Sequence, residues 1–351
     1  MKTKHIATLQ NLSGSKLFGL MPNNEEIYSF ELTNKNGMKV QIINYGATVT
    51  SLQVPLSNGK LTDVVLGFDN LQSYLESYTL PTAPYFGTTV GRYAGRINNA
   101  SFTLNDKTFQ LTDNNNGSTL HGGIWGFGRK VWDVTNTISG NDSTITFSLL
   151  SEDSDENFPG ELQVYLTYTL TEENELKLEY KATTTQDTII NLTNHSYFNL
   201  NGADSSVLEQ ELYVESDKIV ETDDHNIPTG QLIELNDHVF DFRTQKKCPF
   251  PIDTSFVVHS KTDVIAQLIS SKNNLQMSVY TDQPVVHVYV GGNCYNQLKG
   301  KENANYHSSS GICFETQNFP DAPNHKHFPS SVLRKGEEYS QKTIYRFENL
   351  N

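Results

Sequence analysis

The chain has 351 residues, 36% hydrophobic and 19% charged, which argues for a globular protein with a sizeable core and against disorder. Its formal net charge of −14 argues against nucleic acid and anionic membrane as partners, since both are held by clustered Lys and Arg; a neutral polar ligand fits better. Three cysteines, Cys248, Cys294 and Cys313, with long spacings and no CxxC, indicate neither a disulfide framework nor a zinc knot.

Taken in chain order, the start "MKTKHIATLQNLSGSKLFGLMPNN" is basic but has no apolar stretch of signal-peptide type, and no run reaches the length of a membrane-spanning helix. Reduced thiols and a cytoplasmic location are the expectation. "DNLQSYLESY" predicts a helix, with Leu71, Tyr74, Leu75 and Tyr78 on one face and Asp69 as N-cap. Thereafter period-two alternation dominates. Ile145, Phe147 and Leu149 share a face; so do Leu162, Val164, Leu166, Tyr168 and Leu170. Leu176, Leu178, Tyr180 and Ala182 form a third such face, with Lys177, Glu179 and Lys181 pointing away. "VVHVYV", residues 285–290, reads as a strand buried on both sides, and "SKTDV" and "KGKENANYHSSS" read as loops. Turn signals such as "DNNNGS", "SDENFPG", "NGADSS", "IPTG" and "RKGEE" separate the segments, and no linker or repeat divides them. The expectation is an all-β fold, one large antiparallel β-sandwich over 1–351 with few short helices.

Five stretches carry candidate chemistry. "GTTVGRYAGRI" has no nucleotide-binding fingerprint, and its Arg92 and Arg96 form either a polar clamp or a salt-bridged loop. In "TLHGGIWGFGRKVWDV", His121 precedes two glycines that permit close backbone approach, and Trp125 and Phe127 offer faces of the kind on which sugar rings stack; an ordinary turn is the alternative. "NLTNHSYFNL" places His195 among amides and hydroxyls, as either a satisfied core histidine or a proton carrier. Asp253 in "CPFPIDTSFVV" is either a turn former or a carboxylate needing partners. "SGICFETQNFPDAP" gives the strongest signal: alternation puts Cys313, Glu315 and Gln317 on one face, and a carboxylate within an apolar strand must be paired or used.

These motifs, in this order, resemble the aldose 1-epimerase (galactose mutarotase) family: "GRYAGRI", Leu120 to Trp132, "NHSYFNL", "PIDTSF", "YTDQP" and "FETQNFPDAPN", within a likeness running from "INYGATVTSLQVP" to "KTIYRF". The resemblance implies a β-supersandwich and interconversion of the α and β anomers of an aldohexose, with no cofactor and no metal. It implies Glu315 as general base, His195 as general acid, His121 as the second active-site histidine, and Arg96 and Asp253 as holders of sugar hydroxyls. Gly95 stands where an Asn often precedes the arginine, Thr254 where His is frequent, and His287 where many members have Gln. These departures bear on sugar preference, and His287 is expected to donate to a hydroxyl while titrating near neutrality.

Mutarotation removes a proton from the C1 hydroxyl while delivering one to the ring oxygen, so it needs an acid and a base on one small molecule. A glutamate is a carboxylate at neutral pH, and the charges of Glu315 and Asp253 are expected to raise the His195 pKa and favour the imidazolium. The expected partner is a free aldohexose, met by a monomer or weak dimer. Rival readings are a glycoside hydrolase using Asp253 and Glu315, a hexose 6-phosphate epimerase, and a sugar-binding protein without chemistry.

Overall fold

The computed structural model describes residues 14–259, 263–291 and 297–350; the N-terminal segment, part of "SKTDV" and Cys294 lie outside the described residues. The alternating segments form the strands expected of them. Nine lie in one antiparallel sheet, in the order Asp133–Ile138, Ser143–Ser151, Leu162–Leu170, Glu175–Thr184, Tyr339–Asn349, Leu275–Thr281, Ala266–Ser270, Glu211–Val214 and Lys246–Lys247. Its inner face carries Ile145, Phe147, Leu166, Leu178, Tyr180 and Met277, all buried, while Glu179 and Lys181 stay in solvent.

Against this face packs a six-stranded sheet in the order Tyr197–Phe198, Ile312–Gln317, Val285–Val290, Ile252–Val257, Lys218–Thr222 and Pro228–Glu234. Ile252, Phe256, Val286, Val288, Ile312 and Phe314 join the inner faces into one core. Within this interface the Tyr345 hydroxyl donates to the Phe314 carbonyl at 3.0 Å, and the Gln341 amide to the Thr316 carbonyl at 2.9 Å. A five-stranded antiparallel sheet over Ser15–Leu20, Glu26–Thr33, Lys39–Ile43, Thr48–Pro55 and Leu61–Asp63 extends the core, to which it contributes Tyr28, Phe30, Val40 and Leu52.

The expected helix is Leu71–Ser77, the one α-helix among the described residues. Its N-cap is Asn70 and not Asp69: the Asn70 side chain accepts from the Ser73 N–H at 2.9 Å, while Asp69 accepts from the Glu302 N–H at 2.8 Å. Among the described residues no helix is long and apolar enough to cross a membrane. Cys248 and Cys313 are buried thiols.

One strand departs from expectation. In Val285–Val290 the second face is only partly packed: Val285 is buried among Val220, Val257 and Phe319, whereas His287 and Tyr289 are half-buried and face a cavity. The reason is that the outer face of the six-stranded sheet is covered by loops that arch over it without filling it.

Candidate active site

Alternation on three neighbouring strands builds the cavity floor. The outward residues align in cross-strand rungs: Asp253–Tyr289–Cys313, then Ser255–His287–Glu315, then Val257–Val285–Gln317. Above the first two rungs the edge strand brings in Tyr197 opposite Cys313, and His195 just before it. The loops around residues 78–85, 95–96 and 114–124 close a cavity of about 460 Å³.

Glu315 is 2% exposed and His195 4% exposed, and His195 Nε2 lies 3.5 Å from Glu315 Oε1. The His195 backbone is clamped on both sides, donating to the Thr88 carbonyl at 2.9 Å and accepting from the Gly87 N–H at 3.0 Å. Its Nδ1 faces the Cys313 sulfur at 3.5 Å. The ring lies nearly parallel to Tyr85 and Tyr197, at centroid distances of 5.9 and 5.1 Å. Burial lowers the His195 pKa below its usual value, with Glu315 and Asp253 pulling the other way. The expected upward shift is therefore overturned: desolvation outweighs the two carboxylates.

His121 sits in the left-handed region at φ 53°, its ring edge-on to His195 at 5.5 Å. Its N–H donates to the Gly95 carbonyl at 3.0 Å, and its Nδ1 accepts from the Gly95 N–H at 3.3 Å. Burial, then the charges of His195, Arg96 and His287, hold its pKa well below the usual histidine value. His121 is thus neutral, and the Gly95 contact places its proton on Nε2. His121, His195 and Glu315 bring ligand-type atoms within 4.8 Å of one another, a spacing that raises the question of a metal. In this tautomer one His121 nitrogen carries a proton and the other accepts one from Gly95, which leaves neither lone pair free for an ion. The triad suits proton chemistry better.

Arg96 lines the cavity, its Nε donating to Asn115 Oδ1 at 3.0 Å. Gly95 beside it has φ 77°, and a Cβ there would stand 2.9 Å from the Pro320 Cβ. Across the cavity Asp253 Oδ1 is 2.9 Å from His287 Nε2, and Asp253 Oδ2 accepts from Asn226 Nδ2 at 3.2 Å. His287 Nδ1 is 2.9 Å from the Ser255 hydroxyl. Burial disfavours charge on both partners, yet their mutual hydrogen bond and attraction win: Asp253 is held below its usual pKa and His287 above its own. Both His287 nitrogens are engaged within the protein, Nε2 on Asp253 and Nδ1 on Ser255, while the ring lines the cavity.

Other expectations change too. Arg92 forms no clamp with Arg96; it is 1% exposed and staples the 151–160 turn, donating to the Pro159 and Gly160 carbonyls and to the Ser151 hydroxyl. Burial pushes its pKa down to about 10. Phe127 is buried against Trp132, and Trp125 is exposed beneath the Arg129 guanidinium at 4.0 Å; neither lines the cavity. The close approach that Gly122 and Gly123 permit is to the protein itself, since Cβ atoms there would meet the Gly91 carbonyl at 2.0 Å and the Glu156 carboxylate at 2.2 Å. Thr254 points away from the cavity that Asp253 and Ser255 line, so its departure does not touch the site. Sequence reasoning missed Ser255, which period two from Asp253 would have found, and Tyr85, Asn115 and Glu156, for which no local signal exists. Glu156 receives the Ile124 and Trp125 N–H groups at 3.0 and 2.9 Å and so holds the loop after His121.

Comparison with known proteins bears on this geometry. The sequence profile described as aldose 1-epimerase matches residues 28–346. A galactose mutarotase from Bos taurus is 39% identical over 321 residues, covering 88% of this chain and 91% of that protein. An aldose 1-epimerase from Escherichia coli (strain K12) is 33% identical over 345 residues, covering 93% and 97%. Among solved structures, an aldose epimerase homologue from C. elegans superposes with a TM-score of 0.84 at 34% identity, over 92% of this chain and 99% of that one. A galactose 1-epimerase from Lactobacillus acidophilus gives 0.82 at 25% identity, over 96% and 98%. With a profile match over most of its length and relatives 39% and 33% identical over 88% or more of both chains, the chain belongs to the aldose 1-epimerase family.

Proposed function

We propose that the chain interconverts the α and β anomers of free aldohexoses, galactose and glucose among them, with Glu315 as base and His195 as acid. The observation that carries this is the buried His195–Glu315 pair, 3.5 Å apart on the floor of a cavity lined largely by polar side chains.

Glu315 takes the proton of the C1 hydroxyl; as the C1 carbonyl forms, the bond to the ring oxygen breaks and that oxygen takes a proton from the His195 imidazolium. Rotation about C1–C2 presents the other carbonyl face. The ring oxygen then returns its proton to His195 while Glu315 reprotonates the new C1 oxygen, so atoms and charge balance. The acid form of His195 is the one that burial disfavours, and the charges of Glu315 and Asp253 offset only part of that penalty. His121, neutral with its proton on Nε2, donates to a sugar oxygen. Arg96 donates to hydroxyls and Asp253 accepts from them. His287, doubly hydrogen-bonded, keeps Asp253 ionised and in place.

Each acid or base contributes about 10²- to 10⁴-fold, enough for a reaction that already proceeds slowly in water. Only protons move, between this chain and the sugar, so the reading calls for no cofactor or metal. It also takes 1–351 as one catalytic domain working in the cytoplasm as a monomer or weak dimer. Polarimetry of freshly dissolved α-D-galactose and α-D-glucose tests the function. Rotation should reach equilibrium faster with the protein than without; unchanged relaxation at micromolar protein would leave a sugar-binding role, and preference for glucose 6-phosphate would favour the phosphosugar rival.

A further inference from the structure

We propose that Gln317 reads a hydroxyl of the aldose, standing in for the side chain that Gly95 does not supply. This rests on the cavity being the sugar site. Gln317 is 2% exposed, lies two residues beyond Glu315 on the same strand face, and lines the cavity. Its own rung offers only Val285 and Val257, neither of which can hydrogen-bond through its side chain. Its Oε1 has no partner, and among the described residues it is the one buried Asn or Gln side-chain oxygen in that condition.

The contrast with the other buried amides is informative. Asn191 donates to the Ala94 and Asn318 carbonyls and accepts from the Asn318 N–H. Asn194 donates to the Gly87 carbonyl and accepts from the Ser196 N–H. Gln341 donates to the Thr316 carbonyl and accepts from the Tyr339 hydroxyl. This fold satisfies its buried amides, because an unpartnered polar atom is unfavourable. Gln317 is the exception, and it faces the cavity.

Gly95 explains the vacancy beside it. A Cβ at position 95 would lie 3.6 Å from Gln317 Nε2, so a polar side chain there would stand within reach of the carboxamide. With glycine, the Gln317 amide is left to the ligand. A carboxamide presents both donor and acceptor, which matches a sugar hydroxyl or two adjacent ones. Glu315 and Gln317, two residues apart on one face, are about 6.6 Å apart along the strand. If Glu315 addresses C1, Gln317 addresses a hydroxyl on another ring carbon. It binds without taking part in the proton transfer.

The test is Gln317→Met in the full chain, which keeps length and removes both donor and acceptor. KM for galactose and glucose should rise about 3- to 10-fold with kcat within about twofold, the signature of an interaction present equally in ground and transition states. Because Oε1 has no internal partner, Tm should stay level or rise. With 2-, 3- and 4-deoxy-glucose, one deoxy sugar should be insensitive to the substitution, marking the hydroxyl that is read. Gln317→Glu, of the same shape without amide donors, should also raise KM. An unchanged KM in both variants, a drop in Tm of several degrees, or equal sensitivity across all the deoxy sugars overturns the inference. Glu315→Gln assayed in parallel separates the failures: if it keeps mutarotation the site reading falls, whereas its loss beside a normal Gln317→Met overturns only the role of Gln317.

Discussion

Glu179 and Glu315 occupy equivalent places in two sheets and meet opposite fates. Each is an outward-facing glutamate in an antiparallel strand whose alternate residues are buried in the shared core. Glu179, in the nine-stranded sheet, stays in solvent among Lys177 and Lys181, whereas Glu315, in the six-stranded sheet, is 2% exposed. The difference lies in what covers the face. Over the six-stranded sheet, loops anchored by Arg92, Glu156 and the Gly95–His121 contacts cover Glu315 yet leave a cavity. Alternation decides which way a side chain points; long-range cover decides whether its charge is solvated, and so whether it can do chemistry.

The strongest way to break this comparison is to neutralise both glutamates in turn. Glu315→Gln should reduce mutarotation by at least about 10³-fold with an unchanged circular dichroism spectrum, while Glu179→Gln should leave it within about twofold. Comparable losses in the two variants would mean that the covered face is not the site.

His195→Asn comes next, with an expected loss of at least about 10²-fold in kcat measured by polarimetry. The pH profile sharpens the assignment. Burial lowers the His195 pKa, so in the free enzyme the acid form disappears as pH rises through a value below the ordinary histidine range. The alkaline limb of kcat/KM should therefore have its midpoint below about 6.5. A midpoint above 7 would show that the carboxylates outweigh desolvation after all.

His287→Gln should act on binding more than on chemistry. A glutamine can still hydrogen-bond Asp253 but supplies no positive charge, so KM should rise about 3- to 10-fold and grow more acid-sensitive as Asp253 protonates more readily. An unchanged KM with lowered kcat would place His287 in the proton transfer.

The smallest effect is on stability. His121 and His195 have folded pKa values depressed below the unfolded value of about 6.5, so their contribution is complete above that pH and is lost as pH falls toward the folded values. His287, raised, contributes in the opposite sense: its stabilisation is full below about 6.5 and is lost as pH climbs through its folded value. Tm should decline from pH 7 to 5, and less steeply in His121→Asn than in the wild type. An identical slope in the variant would mean that His121 is not held neutral.

The sequence by itself determined the strands, their inward faces, and the candidates Glu315, His195, His121, Arg96 and Asp253, because side-chain direction in a strand has a period of two and the motifs are local. It carried the aldose 1-epimerase resemblance for the same reason. Tertiary structure alone decided that Arg92 is a staple and Arg96 a cavity residue, that both His287 nitrogens are engaged, that Phe127 belongs to the core, and that burial prevails over charge at His195. Those outcomes depend on groups far apart in the chain, such as Tyr85, Glu156 and Pro320. Desolvation and hydrogen-bond partnership are properties of the packed surroundings, and no window of sequence contains them.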